Sequence, residues 1–567
     1  MEAQPARISR RAYLRRSVAV VSGLVGAGLL QACTAPAPPA SPTSPPAAAP
    51  TTAPAAAAAK PTTAPAAAPT TAPAAVKPAA SGGKRGGQLR LALNQEPTAG
   101  FDPQFSSPMV SQHHFEQVYE QLLVTQPDGS VLPGLAESFE QTDPRTYVFK
   151  LRKGVKWHNG REFNAEDVKY SFERQISTGS INQSIYAPVL DKVEIADAST
   201  VRFTTKEPFA PFISYIAGPR EGNIVPQEVV TEKGDLKATM IGTGPFKFVE
   251  YTPGNEAKFV RNPDYWNKDQ PLLDELIIKY IPDDTSRLAA LRNNSVDFAY
   301  FGSAIFVKPH LTDPAIQWAQ GKALNTRHFV LNNSIPPLND VRVRQAISLS
   351  INRQEIVDTN LLGLGAVSTH IPPADEFWTL PNPQNEAKYK NDIEQAKKLL
   401  ADAGQSNLKL QTKIGPDASY TADSELVQSQ LKRAGIELEI VKKEQAAWID
   451  DFLKVNHDSV LMGYSSYVDP DGYFYQSMYS TSSSTRTGIK SEKLDALLNK
   501  GRTTTERNQR QQVYYDVQKL VVEEAMELIL YAQIASFEAM QPFVKGYVPL
   551  GKTFGRGPQL RGVWIDK

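Results

Sequence analysis

Gly546-Tyr547-Val548-Pro549-Leu550-Gly551-Lys552-Thr553 satisfies the spacing G-x-x-x-x-G-K-[ST], in which backbone amides cradle a phosphate and the lysine meets its charge. That chemistry needs a helix opening at the Lys-Thr pair, because helix N-terminal amides build the anion site. Phe554-Gly555-Arg556-Gly557-Pro558 follows instead, with two glycines and a proline in one prospective turn, so the match is a coincidence of spacing. Asp469-Pro470-Asp471-Gly472 suggests calcium, but an EF-hand loop needs its glycine at position 6 and a third oxygen ligand at position 5. Gly472 comes at the fourth position, and a turn is the better reading. His113 and His114 are adjacent, which sets them about 100° apart on a helix or on opposite faces of a strand. Neither geometry chelates one ion. No Gly-x-Ser-x-Gly, His-Glu-x-x-His or strand-bound Gly-x-Gly-x-x-Gly occurs. The sequence therefore predicts no catalytic residues, no cofactor and no metal.

The elements that position the remaining candidates alternate between strand and helix patterns. Tyr147 to Trp157 carries β-branched and aromatic residues around a turn at Lys153-Gly154. Asn164 caps a helix whose apolar set is Val168, Phe172 and Ile176. Phe246 to Asn262 reads as two strands around Pro253-Gly254. Asp340 caps a helix with Val343, Ala346, Ile347 and Ile351 on one face, and Asn352 to Glu355 resembles a capping box for the next helix. A last long helix, from about residue 505 to 523, aligns Val513, Val517 and Val521. The fold class is α/β. About 480 residues from Gln88 onward exceed one core, so at least two domains are expected.

The N-terminal region reads differently. Ser9-Arg10-Arg11-Ala12-Tyr13-Leu14-Arg15-Arg16 is basic, and residues 17–30 are apolar but shorter than the roughly 20 residues of a membrane span. That order is an export signal, with the arginine pair open to either a twin-arginine or a Sec route. Leu30-Gln31-Ala32-Cys33 resembles a bacterial lipobox, in which the peptidase cuts before a thioether-lipidated cysteine. Cys33 is the only cysteine of 567 residues, so neither an internal disulfide nor a Cys-Cys metal site is available to it. Residues 34–87 hold three copies of Thr-Thr-Ala-Pro and too few large apolar groups to fold. Extended as polyproline II, such a tether reaches somewhat over about 150 Å. Removing residues 1–32 moves the formal charge from +1 to −3, which argues against nucleic acid as a partner.

Several blocks resemble the extracellular solute-binding proteins of ABC importers, the family of oligopeptide-, dipeptide- and nickel-binding proteins. They are Val118 to Arg174, Gly242 to Tyr251 with Asn262 to Trp266, Pro336 to Val357 and Glu506 to Tyr531. The resemblance implies a two-lobed, three-domain periplasmic-binding-protein fold with ligand held in the cleft. Signal peptide 1–32 and the lipidated linker 33–87 would precede lobe 1, residues 88–326 with 530–567 returning, and lobe 2 would be 327–529. It implies a monomer that closes around a solute and docks on a permease driven by ATPase subunits, at the outer face of the cytoplasmic membrane. A solute-binding surface receptor or chaperone signalling to a sensor, and an anchored hydrolase, are the competing readings. Trp157 and Trp266 are expected to be core aromatics.

Ligand identity is narrowed by one departure. Peptide-binding members hold the ligand's α-amino group with an Asp in a Gly-Trp-x-x-Asp-like stretch. The corresponding stretch here is Gly463-Tyr464-Ser465-Ser466-Tyr467-Val468-Asp469-Pro470, and the Asp position falls on Ser466 or Tyr467. An ammonium buried without counter-charge costs several kcal/mol. Asp469 would substitute only in a shifted loop. Tyr464, Ser466 and Tyr467 instead suit a sugar, a peptide lacking a free amino group or another polar solute. Trp378 is a further candidate, as are Phe105, Ser106 and Tyr119 of lobe 1. Nickel lacks a supporting histidine pattern.

Overall fold

The computed structural model describes residues 82–567 except 107–108, 127–129, 321–323, 369–375, 382–389, 466, 468, 483–485, 535–536 and 550–558. Cys33, residues 34–81 of the tether, Ser466 and the Gly551 to Thr553 end of the phosphate-loop match lie outside the described residues, whereas the tether's last residues meet the body, the Gly86 amide donating to the Leu272 carbonyl at 2.8 Å.

Three sheets organise the body. A seven-stranded mixed sheet runs in the order Gln317–Gln320, Phe537–Met540, Phe298–Phe301, Gln88–Leu93, Glu275–Tyr280, Glu256–Arg261, Phe246–Thr252. Its centre is parallel: Gln88 pairs with Glu275 through to Leu93 with Tyr280, and Leu91 pairs with Phe298. A six-stranded sheet has the order Gly365–Ala366, Leu528–Ile534, Leu324–Leu331, Ser459–Ser465, Lys409–Ile414, Glu437–Lys442. A four-stranded antiparallel sheet, Ala136–Asp143, Thr146–Leu151, Thr200–Thr205 and Leu190–Asp197, has its own core around Trp157, Phe172, Phe203 and Phe212. The chain passes between the two larger sheets twice, between Gln320 and Leu324 and between Ile534 and Phe537. These crossings lie a few residues from the boundaries at 326 and 530 that the sequence suggested.

Local signals explain the elements. Asn164 caps Ala165–Ile176 by accepting from the Glu166 amide, while Asp167 accepts from the Asn164 amide, and Val168 and Phe172 are buried. Asp340 caps Val341–Leu349 by accepting from the Arg342 amide. That helix stops before Ile351, which is buried all the same. Asn352 caps Arg353–Asn360, but the expected capping box is only half formed. The Asn352 amide donates to the Gln430 side chain at 3.0 Å, and Gln430 in turn donates to Glu355 at 3.0 Å. A residue 78 positions away has taken the place of the local partner. The last long helix is Arg507–Glu523, with Val513, Val517 and Val521 buried. Trp157 is buried and its indole N–H donates to Asp167 at 3.0 Å, while Trp266 donates to Glu120.

Burial also fixes three imidazoles in the neutral form. It lowers His113 to about 3, with help from His114, and lowers His158 and His457 to about 4 each. A group whose pKa falls on folding adds stability above its unfolded pKa, near 6.5, and loses it as pH drops toward the folded value. Urea unfolding is therefore expected to show stability falling between pH 7.5 and pH 5, by about 1–2 kcal/mol for each of His158 and His457. The double variant His158→Gln/His457→Gln is expected to have a flatter slope over that window; an unchanged slope contradicts the assignment.

Candidate ligand site

The candidate site is built on the Ser459–Ser465 strand and the loop that leaves it. That strand pairs antiparallel with Leu324–Leu331, which sets Tyr464 opposite Thr326. The Tyr464 ring lies 4.6 Å from His328 and 5.1 Å, edge-on, from Tyr473. Beneath it is a buried polar floor. His328 bonds Glu527 at 2.8 Å through Nδ1 and Thr326 at 2.7 Å through Nε2, and the Tyr473 hydroxyl donates to the same Glu527 carboxylate. The Tyr464 hydroxyl itself is buried and has no hydrogen-bond partner among the described residues. Burial, with Glu527 nearby, holds it well above the ordinary tyrosine range.

Tyr467 packs 6.1 Å from Tyr473. A Cβ at Gly472 would stand 2.7 Å from the Tyr467 ring, so the ring's seat requires a residue without a side chain. Burial raises the Tyr467 pKa, with opposed contributions from Arg220 and Glu221 of the first lobe. The Nε of Arg220 is buried without a hydrogen-bond partner among the described residues.

Asp469 is already committed. Arg510 grips it with two bonds of 2.7 and 2.6 Å, both residues being buried, and the Asp471 amide donates to it at 2.9 Å. Its carboxylate is neutralised from within its own lobe, and it shapes the turn ahead of Pro470. Trp378 belongs to the same cluster: it is buried, edge-on to Tyr514, with the Arg510 guanidinium 4.9 Å over its ring. Tyr464 and Tyr467 pack against this cluster, whereas the first-lobe candidates sit elsewhere. Tyr119 is buried in the first-lobe core against Phe115. Ser106 is buried 3.2 Å from the Ser111 hydroxyl, and Phe105 lies half-buried under the Arg174 guanidinium.

Sequence reasoning missed Arg510, Glu527, His328 and the Arg220-Glu221 pair. For Arg510 a signal existed: it falls on the Val513-Val517-Val521 stripe, and a charge on a buried helical face calls for a buried partner. No group of three or more His, Cys, Asp or Glu is placed to hold a metal among the described residues. No helix among them is long and apolar enough to cross a membrane. Removing one member of a buried ion pair leaves the other uncompensated, which costs about 3–5 kcal/mol. Asp469→Asn is expected to lower unfolding stability by that order in urea titration; a loss below about 1 kcal/mol contradicts the pairing as described.

Residues 130–486 match the family described as bacterial extracellular solute-binding proteins, family 5. The dipeptide-binding protein of Escherichia coli (strain K12) is 29% identical over 463 residues, covering 74% of this chain and 85% of that protein. Among solved structures, the dipeptide-binding protein of Pseudoalteromonas sp. SM9913 in complex with Met-Leu superposes with a TM-score of 0.75 at 25% identity, over 84% of this chain and 100% of that one. The binding protein AgaA of A. tumefaciens R10 in complex with agropinic acid gives 0.75 at 25% identity, over 85% of this chain and 99% of that one. The relatives are binding proteins of transporters, not enzymes. The chain belongs to the bacterial extracellular solute-binding proteins of family 5, periplasmic or extracellular receptors that capture solutes for ABC importers and deliver them to the permease.

Proposed function

We propose that this receptor is lipid-anchored through Cys33 and encloses a small polar solute between its lobes, with Tyr464, Ser466 and Tyr467 forming the second-lobe wall. Short peptides without a required free amino group, oligosaccharides and similar solutes fit this wall. The observation that carries the reading is the Asp469–Arg510 pair: the one carboxylate of the 463–470 loop is neutralised internally. A ligand ammonium would meet tyrosine faces there, without a counter-charge from that loop. The relatives' ligands, Met-Leu in one complex and agropinic acid in another, support a scaffold that accepts peptide and non-peptide solutes alike. Trp378 then supports the wall from behind, while Tyr119, Phe105 and Ser106 hold the facing lobe in shape.

A thermal-shift screen over tripeptides, their N-acetylated forms and oligosaccharides tests the ligand class. A ligand at 100 times its dissociation constant stabilises by about 2.7 kcal/mol, a readily measured shift. The expected hit binds with less than threefold dependence on a free amino group; a loss of tenfold or more on N-acetylation overturns the reading. Tyr464→Phe removes a buried hydroxyl that has no partner to lose, so unliganded stability is expected to hold or rise slightly. Affinity for the hit is expected to fall about fivefold, as one hydrogen bond is worth about 1 kcal/mol. For the anchor, mass spectrometry of the mature N-terminus is expected to find diacylglyceryl-modified Cys33; an unmodified start elsewhere removes it.

A further inference from the structure

The second contact between the lobes is a buried cluster that the solute wall does not use. On the second lobe, the Nε of Arg502 stands 3.0 Å from Asp471 Oδ1, and the guanidinium lies 3.7 Å over the Tyr475 ring. The Asp471 amide is tied to Asp469, which Arg510 holds. From the first lobe come three neutral groups. The Tyr215 hydroxyl donates to Asp471 Oδ2 at 2.8 Å, the Ala210 amide donates to the Arg502 carbonyl at 2.8 Å, and the Phe209 ring covers the Arg502 guanidinium at 4.7 Å. Phe209 and Tyr215 stack nearly parallel on one another, 5.9 Å apart, and so arrive as one unit. Tyr215, Asp471, Arg502 and Phe209 are all buried.

The division of charge across this contact is its informative feature. Arg502 and Asp471, 3.0 Å apart, both belong to the second lobe, so separating the lobes does not split them. Separation would expose one phenol, one amide and a ring face, all of which water accepts at modest cost. A buried salt bridge split between lobes would instead leave two bare charges and would be hard to reopen. A hydrogen bond from a neutral donor to a charged acceptor is stronger than a neutral pair yet remains breakable.

We propose that Tyr215, Ala210 and Phe209 with Asp471 and Arg502 form a reversible latch that holds the lobes together without ligand and so sets the receptor's apparent affinity. It rests on the reading that solute is taken by closure of the lobes. The binding-competent fraction of the unliganded protein scales apparent affinity directly. A contact that raises the closed fraction tightens every ligand by the same factor and leaves specificity to the wall.

The test is two-colour single-molecule FRET on the full chain carrying Cys33→Ser, with dyes at Lys192→Cys in the four-stranded domain and Lys493→Cys in the second lobe; both sites are exposed. Without ligand, the parent is expected to populate a high-transfer state, and Tyr215→Phe is expected to lower the closed-to-open ratio about three- to tenfold. Phe209→Leu provides a second variant with the same expected direction. A library of tripeptides, their N-acetylated forms and oligosaccharides is then added to the parent. If the library shifts the parent while neither variant alters the unliganded distribution, the latch is overturned and closure stands. If neither the library nor the variants move any distribution, both fall.

Discussion

A buried arginine-carboxylate pair governs the geometry on which the site depends. Asp469 and Arg510 meet in two short bonds inside the second lobe, and the Arg510 guanidinium also donates to the Gly501 carbonyl at 2.7 Å and covers Trp378. Taking two charges from water is worthwhile only when the geometry is good and the remaining donors are satisfied. Both conditions hold here. The pair fixes the turn at Pro470, and through it the seats of Tyr467 before the turn and Asp471 after it. One interaction thus positions both the tyrosine wall and the charged side of the contact with the other lobe.

The chemistry of the wall follows from what that pair removes. With the loop carboxylate neutralised, the proposed wall offers a solute aromatic faces and hydroxyls. The floor beneath them, His328 with Glu527, Thr326 and Tyr473, is closed on itself by hydrogen bonds. Arg220 and Glu221 of the first lobe act on Tyr467 with opposite sign. A receptor built this way separates its tasks. In the proposed reading, the tyrosines read the solute's shape and polarity, and the lobes' mutual contact sets how readily the space around it forms.

Much of the fold was legible in the chain. The caps at Asn164 and Asp340, the turn at Lys153-Gly154 and the valine stripe of the last long helix are local signals, decided by neighbours within one or two turns. The half-formed box at Asn352 shows where locality fails, since Gln430 supplies the partner from another helix. The site was less legible for the same reason. Asp469 is visible as a turn residue, but its partner, Arg510, lies 41 positions on. Tyr119, Ser106 and Trp378 have residue types suited to ligand contact, and their burial in packed clusters is a fact of assembly alone.

Sequence by itself determined the class of the body, its alternation of strands and helices, the lack of an Asp at Ser466 or Tyr467 and the lack of any nucleophile or metal motif. These are properties of residue type and short spacing, which a chain carries before it folds. Tertiary structure decided which ions pair, which tyrosine hydroxyls have no partner among the described residues, and that Tyr215 meets Asp471 from 256 positions away. Such pairings depend on two lobes approaching in three dimensions. No periodicity along the chain encodes that distance, because the energy of each contact exists only once both partners have left water together.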